Sequence, residues 1–518
     1  MSFADRLRRL VSETAIYGIS SVVGRLITFI LFPFYSQFFA PDAYGVVSVV
    51  FTLFIFANVV YQYGMESAFL KFASDESTGD GRARVTSTVV WSLLGTSVLL
   101  SGLLLLVRTQ VSGAIGLAAE WQYLLNYVAI ILILDTAAVV PFASLRLDNK
   151  PLRFAAIRIA SVLVNVALNV YLIAFRGMGI EAVFVANVVS SAVALGLLLP
   201  TLLSGLRLQL DAGLWRSLLR FGLPFIPAGL GYAFADRVSI FFLNVMGPDR
   251  VLALYGDDID PSMLATLMSP ADYGEYMAGV FNGIVKLAVI MALVVQMFRY
   301  AWQPFFLQHA RDHDARPLFA RVFTLFVAGS LFVVLAVSFF ARELVAIPLP
   351  GGRTLVESRY WLGLFVVPTM LLGYLFQGMY YNFAAGAYIE RRTGYFVYCA
   401  VAAAVVAISI NALFVPLYGM LAAAWSAAAA YFVMAAMLYA FVRRFYPIPY
   451  DWLAVAKLGV AAGVLFLVRS EVGFFTHPLA ELGLLAVYVA AVPALGIVNA
   501  RSVRNLIARR AQSANTDS

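Results

Sequence analysis

The sequence predicts an all-α polytopic membrane protein of about fourteen transmembrane helices, with both termini cytoplasmic. The helices are expected to form two six-helix lobes in parallel pseudo-repeat, followed by two appended C-terminal helices. Three observations predict this. Of 518 residues, 62% are hydrophobic and 12% charged, against about 25% charged in ordinary soluble chains. Apolar windows of about 20 residues, enough to cross a bilayer, recur from end to end. Segments of the first half also reappear in the second half in the same order.

Spans are expected near 14–38, 46–66, 86–107, 121–143, 154–175, 180–203, 217–246, 274–298, 317–341, 355–384, 395–415, 419–442, 453–468 and 481–499. The first apolar run is too long for a signal-peptide core, and no A-x-A-like site follows it. Ahead of it, residues 1–13 place Phe3, Leu7, Leu10 and Val11 on one helical face, with Arg6, Arg8 and Arg9 elsewhere. That pattern suits a short interfacial helix on an anionic cytoplasmic leaflet.

Orientation follows from Lys and Arg. With the N-terminus inside, 26 of them fall in cytoplasmic segments and 7 outside, from Arg108 to Arg469. The net charge of +8 is therefore a topology signal, and no nucleic-acid partner is expected. The organisation read from the spans is the interfacial helix 1–13, an N-lobe over 14–203 and a C-lobe over 204–442 with an outside loop at 247–273. The appended spans lie in 443–499, before a basic cytoplasmic tail at 500–518.

The repeat rests on matched polar and turn residues, because Ala, Val and Leu align with anything. Residues 147–183 lie on 389–425 at a constant offset of 242. Asp148 meets Glu390, Phe154 meets Phe396, Asn169 meets Asn411 and Gly177 meets Gly419. A second echo pairs APDAYG (40–45) with SPADYG (269–274) at an offset of 229. The spacing from Arg25 to Tyr44 is 19 residues and from Arg237 to Tyr273 is 36, so the second half gains 17 residues in the 247–273 loop. Both echoes recur six spans later and keep their direction. The lobes are then related by an axis along the membrane normal, an arrangement of transporters with a midplane site.

Three cations fall deep inside expected spans, away from their ends: Arg25, Arg237 and Lys286. Each costs roughly 2.5–3.5 kcal/mol at the helix centre on insertion scales, so a functional reason is expected. Spans 1 and 7 are equivalent helices, and Arg25 and Arg237 would face each other across a central cavity. Helical spacing stacks Ser21, Arg25 and Thr28 on one face, Asn282 with Lys286 on another, and Asn58, Gln62 and Glu66 on a third. Asp135 in span 4 is the most deeply placed acid, with Asp236 next to Arg237. Neighbours in a helix point to different faces, so Asp236 is not expected to neutralise Arg237. Asp135 reads equally as a counter-ion, a coupling-ion site or a helix-packing polar residue.

Three cations against two deep acids leave the cavity net positive and suited to an anion. The pyrophosphate of a lipid carrier fits, since Arg offers bidentate geometry to phosphate and Lys a point charge. The plainer alternative is that these groups only pair with one another.

Other chemistries find little support. No Gly-Lys dipeptide exists, so there is no phosphate-binding loop of the GxxxxGK type. His309 and His313 stand four apart in a polar linker, and no nucleophile is matched to a base. The acids Asp249, Asp257, Asp258, Asp260 and Asp272 read as a solvated loop, since their spacing matches no EF-hand. Cys399 is expected in the core, and Gly459 with Gly463 reads as a close helix contact. No metal, cofactor or enzymatic activity is expected.

Several stretches together resemble the polysaccharide-type flippases of the multidrug/oligosaccharidyl-lipid/polysaccharide exporter superfamily, which are related to lipid II flippases. They are Gly18 and Arg25 with PFYSQFFAPDAYG following, QYGMESAFLKFASDE (62–76), PFASLRLDNKPLRF (141–154) and LLRFGLPFIPAGLGYAFADR (218–237). Later come AWQPFF (301–306), NALFVPLYGMLAAAWSAAAAY (411–431) and RRFYPIPYDW (443–452). The resemblance implies fourteen helices in two lobes that alternate between inward- and outward-facing states. It also implies movement of a polyprenyl-pyrophosphate-linked glycan across a bacterial inner membrane, with a glycan polymerase or ligase of the same pathway as a possible partner.

Lipid II flippases line a cationic cavity with arginines on spans 1 and 8. Arg25 fits the first, and Lys286 stands where the second would be. By the same resemblance, spans 13 and 14 would accommodate the lipid tail. The rival readings are an ion-coupled small-molecule or drug antiporter, whose cavity should be acidic, and a membrane glycan polymerase or ligase, which should carry external catalytic residues.

Overall fold

A computed structural model describes residues 31–76, 78–310, 312–471 and 477–495. The expected interfacial helix 1–13, Arg25 with Ser21 and Thr28, and the tail 500–518 lie outside the described residues. The described chain is helical almost throughout. A helical segment at 31–38 (α1) leads into α2 (Pro41–Gln62), α3 (Met65–Asp75), α4 (Gly79–Leu106) and α5 (Arg108–Ala114). Then follow α6 (Leu124–Leu147), α7 (Pro151–Val170, continued by a π turn at Tyr171–Phe175), α8 (Glu181–Leu203), α9 (Ala212–Gly222) and α10 (Phe225–Asn244).

The second half holds α11 (Pro248–Tyr255), α12 (Pro261–Leu264), α13 (Pro270–His309), α14 (Ala315–Phe339) and α15 (Ala341–Val345). It closes with α16 (Val367–Ile389), α17 (Tyr395–Tyr418), α18 (Met420–Val442), α19 (Trp452–Glu471) and α20 (Pro478–Ala494). Among the described residues, twelve helical stretches are long and apolar enough to span a membrane, and α20 is a shorter apolar helix. The only strands described are a two-residue pair, Pro348–Leu349 with Arg353–Thr354. A multi-pass, all-α membrane protein is therefore the observed class.

Helices pack in two groups. In the first, α6 lies on α4 and α8, and α8 on α7; in the second, α17 lies on α10 and α18, and α18 on α16. The groups meet along α2 and α13. The repeat read from sequence reappears as backbone geometry. Asn149 before α7 has φ 52°, and Arg391 before α17, 242 residues on, has φ 55°. Gly177 and Gly419, also 242 apart, both take positive φ where those helices end. Asn169 and Asn411 are each fully buried, and each donates Nδ2 at 2.8 Å to the carbonyl four residues back. Matched non-glycine residues in the left-handed region are uncommon, so the two halves share one template.

Several expected features are corrected. Span 2 is not one continuous helix. Tyr63 (φ 31°) and Gly64 (φ 73°) break it, so Glu66 sits on α3 rather than stacked above Asn58 and Gln62 on α2. Span 7 divides likewise between α9 and α10, where Leu223 and Pro224 intervene. Span 8 is longer than expected, 40 residues from Pro270, with Pro41 and Pro270 each opening its helix at the first turn.

The 247–273 segment is more than a solvated loop. Asp249, Asp257, Asp258 and Asp260 face out, but Val251, Tyr255, Ile259, Met263 and Leu267 are buried in the core. The Tyr255 hydroxyl accepts the Met420 N–H at 2.9 Å, fastening this cap to the α17–α18 turn. At Gly459 and Gly463 an added Cβ would meet no atom of the described residues within 4 Å, so the expected close helix contact is absent among them. The α19–α20 pair is held instead by Arg469, which reaches the fully buried Glu481 at 2.9 Å and the Phe339 carbonyl of α14 at 3.3 Å. Cys399 is fully buried, as expected.

Candidate substrate cavity

The two helix groups enclose a central chamber of about 350 Å³. Arg237 enters it from α10, Asn282 and Lys286 from α13, Ser48 and Thr52 from α2, and Asn187 from α8. The spacing of Asn282 and Lys286 on α13 puts both on one face, as the sequence indicated. Arg237 donates to the Asn282 Oδ1 at 3.2 Å, and Asn282 Nδ2 donates to Ser48 Oγ at 2.8 Å. This chain of bonds ties α10 to α13 and α13 to α2.

One expectation about this cluster fails. Arg237 Nε lies 2.8 Å from Asp236 Oδ2, so the adjacent acid does pair with it. Cβ directions alone suggested otherwise, but the long arginine side chain curls back along the helix. Tyr431 donates its hydroxyl to the other Asp236 oxygen at 2.8 Å. Lys286, by contrast, makes no ion pair or hydrogen bond among the described residues. Among the described residues, the chamber therefore presents one compensated cation and one available one.

A second chamber of about 540 Å³ lies within the first helix group and shares Leu31, Asn165 and Asn187 with the central one. Asn58, Gln62, Glu66 and Asp135 all line it, so the break after Gln62 does not scatter them. Gln62 donates to Asn58, and Arg146 pairs with Glu66. Asp135 has Ser191 as hydrogen-bond partner and Arg158 as its counter-charge. Arg158 also rests on the Phe142 ring, 4.3 Å from the centroid.

Arg146 and Arg158 were counted among cytoplasmic flank charges, and their place in a cavity was missed. A signal existed: Arg158, Ser161 and Asn165 recur at helical spacing, as do Asn187 with Ser190 and Ser191. Among the described residues, two arginines here balance two acids, so this part of the chamber is polar rather than cationic.

A third chamber, about 190 Å³, lies in the second helix group beside Arg299, Trp302, Tyr380, Tyr381 and Tyr388. On the opposite side from these arginine-bearing helix ends, the cleft is shut backbone to backbone. A Cβ on Gly45 would fall 1.8 Å from the Glu275 carbonyl oxygen, and one on Gly279 1.7 Å from that of Pro41. Only glycine permits α2 and α13 to approach this closely. No cluster of three or more His, Cys, Asp or Glu side chains placed to hold a metal occurs among the described residues.

Two helix groups around a polar cleft form a two-lobed helical fold that is shared with solved transporters and flippases. The lipid II flippase MurJ, in an inward closed conformation, superposes with a TM-score of 0.71 at 12% identity, over 93% of this chain and 99% of that one. An inward-facing multidrug resistance MATE family transporter gives 0.62 at 12% identity, over 82% and 97%. A eukaryotic MATE transporter gives 0.52 at 17% identity, over 88% and 97%. These likenesses are in fold; the proteins sharing it are transporters and flippases rather than enzymes. Residues 23–257 match the family model described as polysaccharide biosynthesis protein. No curated protein sequence matches the chain.

Proposed function

We propose that this protein is a flippase. It moves a polyprenyl-pyrophosphate-linked oligosaccharide, or a polysaccharide repeat unit, from the cytoplasmic to the outer leaflet of a bacterial inner membrane. The observation that carries the reading is the central chamber, where Arg237, Asn282 and Lys286 converge between the two helix groups. A permanent cation held at that depth is costly, and an anionic headgroup that must cross accounts for it. Arg25, on the equivalent helix of the N-lobe, is the third member of this pyrophosphate site. The match of residues 23–257 to polysaccharide biosynthesis proteins and the flippase-like fold support the same cargo.

The N-lobe (14–203) and C-lobe (204–442) rock about the α2–α13 contact while the glycan crosses in the hydrated chambers and the polyprenyl chain stays in lipid. Spans 13 and 14 shelter that chain, and a glycan polymerase or ligase takes the product. Asp135 and Asp236 are the coupling candidates, each beside an arginine whose charge it offsets. The test is native mass spectrometry of the purified protein with undecaprenyl pyrophosphate and with a cationic drug. The flippase reading expects carrier to be retained by wild type and lost from Arg25→Ala; retention of the drug alone would overturn it.

A further inference from the structure

The 190 Å³ and 540 Å³ chambers are the same site in two lobes, and their chemistry has diverged. At the repeat offset of 242, Ala138, Val139, Phe142, Arg146 and Phe154 of the larger chamber become Tyr380, Tyr381, Ala384, Tyr388 and Phe396 of the smaller. Asp135, at the same offset, becomes Gln377, which donates to the Tyr232 hydroxyl. An aliphatic pair and an arginine have thus been replaced by three tyrosines.

Tyr380 and Tyr381 are partly buried against the core, while two other rings of the chamber stay open. Tyr388 is 40% and Tyr232 37% exposed, and both line open space. Arg299 is held over Tyr381, its guanidinium carbon 4.9 Å from the ring centroid and its Nη1 3.4 Å from the hydroxyl. A cation anchored on one ring presents its remaining donors to the chamber. The Tyr388 ring packs 5.2 Å from Phe396, which fixes its plane.

Resting on the flippase reading, we propose that this aromatic chamber is a sugar subsite. One pyranose ring of the cargo stacks its C–H face on Tyr380 or Tyr388, and Arg299 and Gln303 bond its oxygens. The electron-rich face of an aromatic ring favours such a partner, and Arg299 excludes a quaternary ammonium group, the other ligand of aromatic cages. Position agrees. Tyr232 stands one helical turn before Asp236, and its ring packs 6.1 Å from Tyr431, which bonds Asp236. Arg299 lies 13 residues beyond Lys286 on the same helix, about 20 Å along its axis. A glycan attached to a pyrophosphate at Lys286 would therefore trail into this chamber on the arginine-rich side.

The test compares two probes on the purified full chain in nanodiscs: bare undecaprenyl pyrophosphate, and the glycan-bearing carrier extracted from cells lacking the gene. Tyr388→Leu keeps apolar bulk but removes the ring. It is expected to weaken the glycan-bearing carrier about tenfold and to leave the bare carrier unchanged, with Tyr388→Trp restoring affinity. Arg299→Gln should act in the same direction. Equal loss of both probes would mean a structural role or a pyrophosphate or lipid-headgroup site, and no loss of either would remove the subsite alone. If wild type binds neither probe, the flippase reading itself falls. A Tyr388→Leu protein with an unchanged melting temperature excludes misfolding as the cause.

Discussion

Lys286→Ala should abolish transport while leaving the protein folded and at its normal level in the membrane. The two chamber cations differ in what holds them. Arg237 is bound to Asp236 and Asn282, so removing it strands a carboxylate, at about 3–5 kcal/mol of stability for a buried pair. Loss of transport in Arg237→Ala would then be ambiguous. Lys286 makes no ion pair or hydrogen bond among the described residues, and its removal also relieves repulsion with Arg237. What it loses is attraction to an anion in a desolvated chamber, about 2–5 kcal/mol, or roughly 30-fold to several thousand-fold in affinity. Lys286→Arg should keep substantial activity. Flipping of a fluorescent lipid-linked glycan in proteoliposomes, at matched protein level, is the measurement. Full activity in Lys286→Ala would remove the cation from the mechanism.

Gly45→Val should act on the cycle rather than on binding. Its side chain would have to occupy the space of the Glu275 carbonyl, which an added Cβ approaches to 1.8 Å. Backbone cannot rotate away as a side-chain tip can, so α2 and α13 must separate at that end. The closed contact becomes unattainable and the protein is held open at that end. Transport should fall below about a tenth of wild type, since a shift of a few kcal/mol between two states depopulates one of them almost completely. Single cysteines near Gly45 should meanwhile become reactive to a membrane-impermeant maleimide. Normal flipping with unchanged labelling would show that this contact opens freely and gates nothing.

Much of this was legible in the sequence. Apolar windows carried the helix class, because a bilayer demands long uninterrupted runs. The repeat was carried by Asn169 with Asn411 and Gly177 with Gly419, residues whose roles in back-bonding and turning are local and so survive divergence. Asn282 with Lys286 was readable from spacing on one helix. The breaks at Tyr63 and Leu223 were not, since their hydropathy continues across them and tertiary packing decides where the helix yields. The Asp236–Arg237 pair was misjudged because Cβ direction says little about a side chain with four rotatable bonds. The aromatic chamber went unread because tyrosines in an apolar span look like core, and only their partners at an offset of 242 reveal them as substitutions within a shared site.

The central claim is that the cargo is a lipid-linked glycan moving outward. It is tested most directly by deleting the gene and quantifying polyprenyl-pyrophosphate-linked glycans by mass spectrometry, with a membrane-impermeant reagent assigning the leaflet. The account predicts a build-up confined to the cytoplasmic leaflet, whose mass identifies the glycan. Build-up in the outer leaflet would place the protein after translocation, as a polymerase or ligase. No build-up, with altered sensitivity to cationic toxins, would contradict the account in favour of an antiporter.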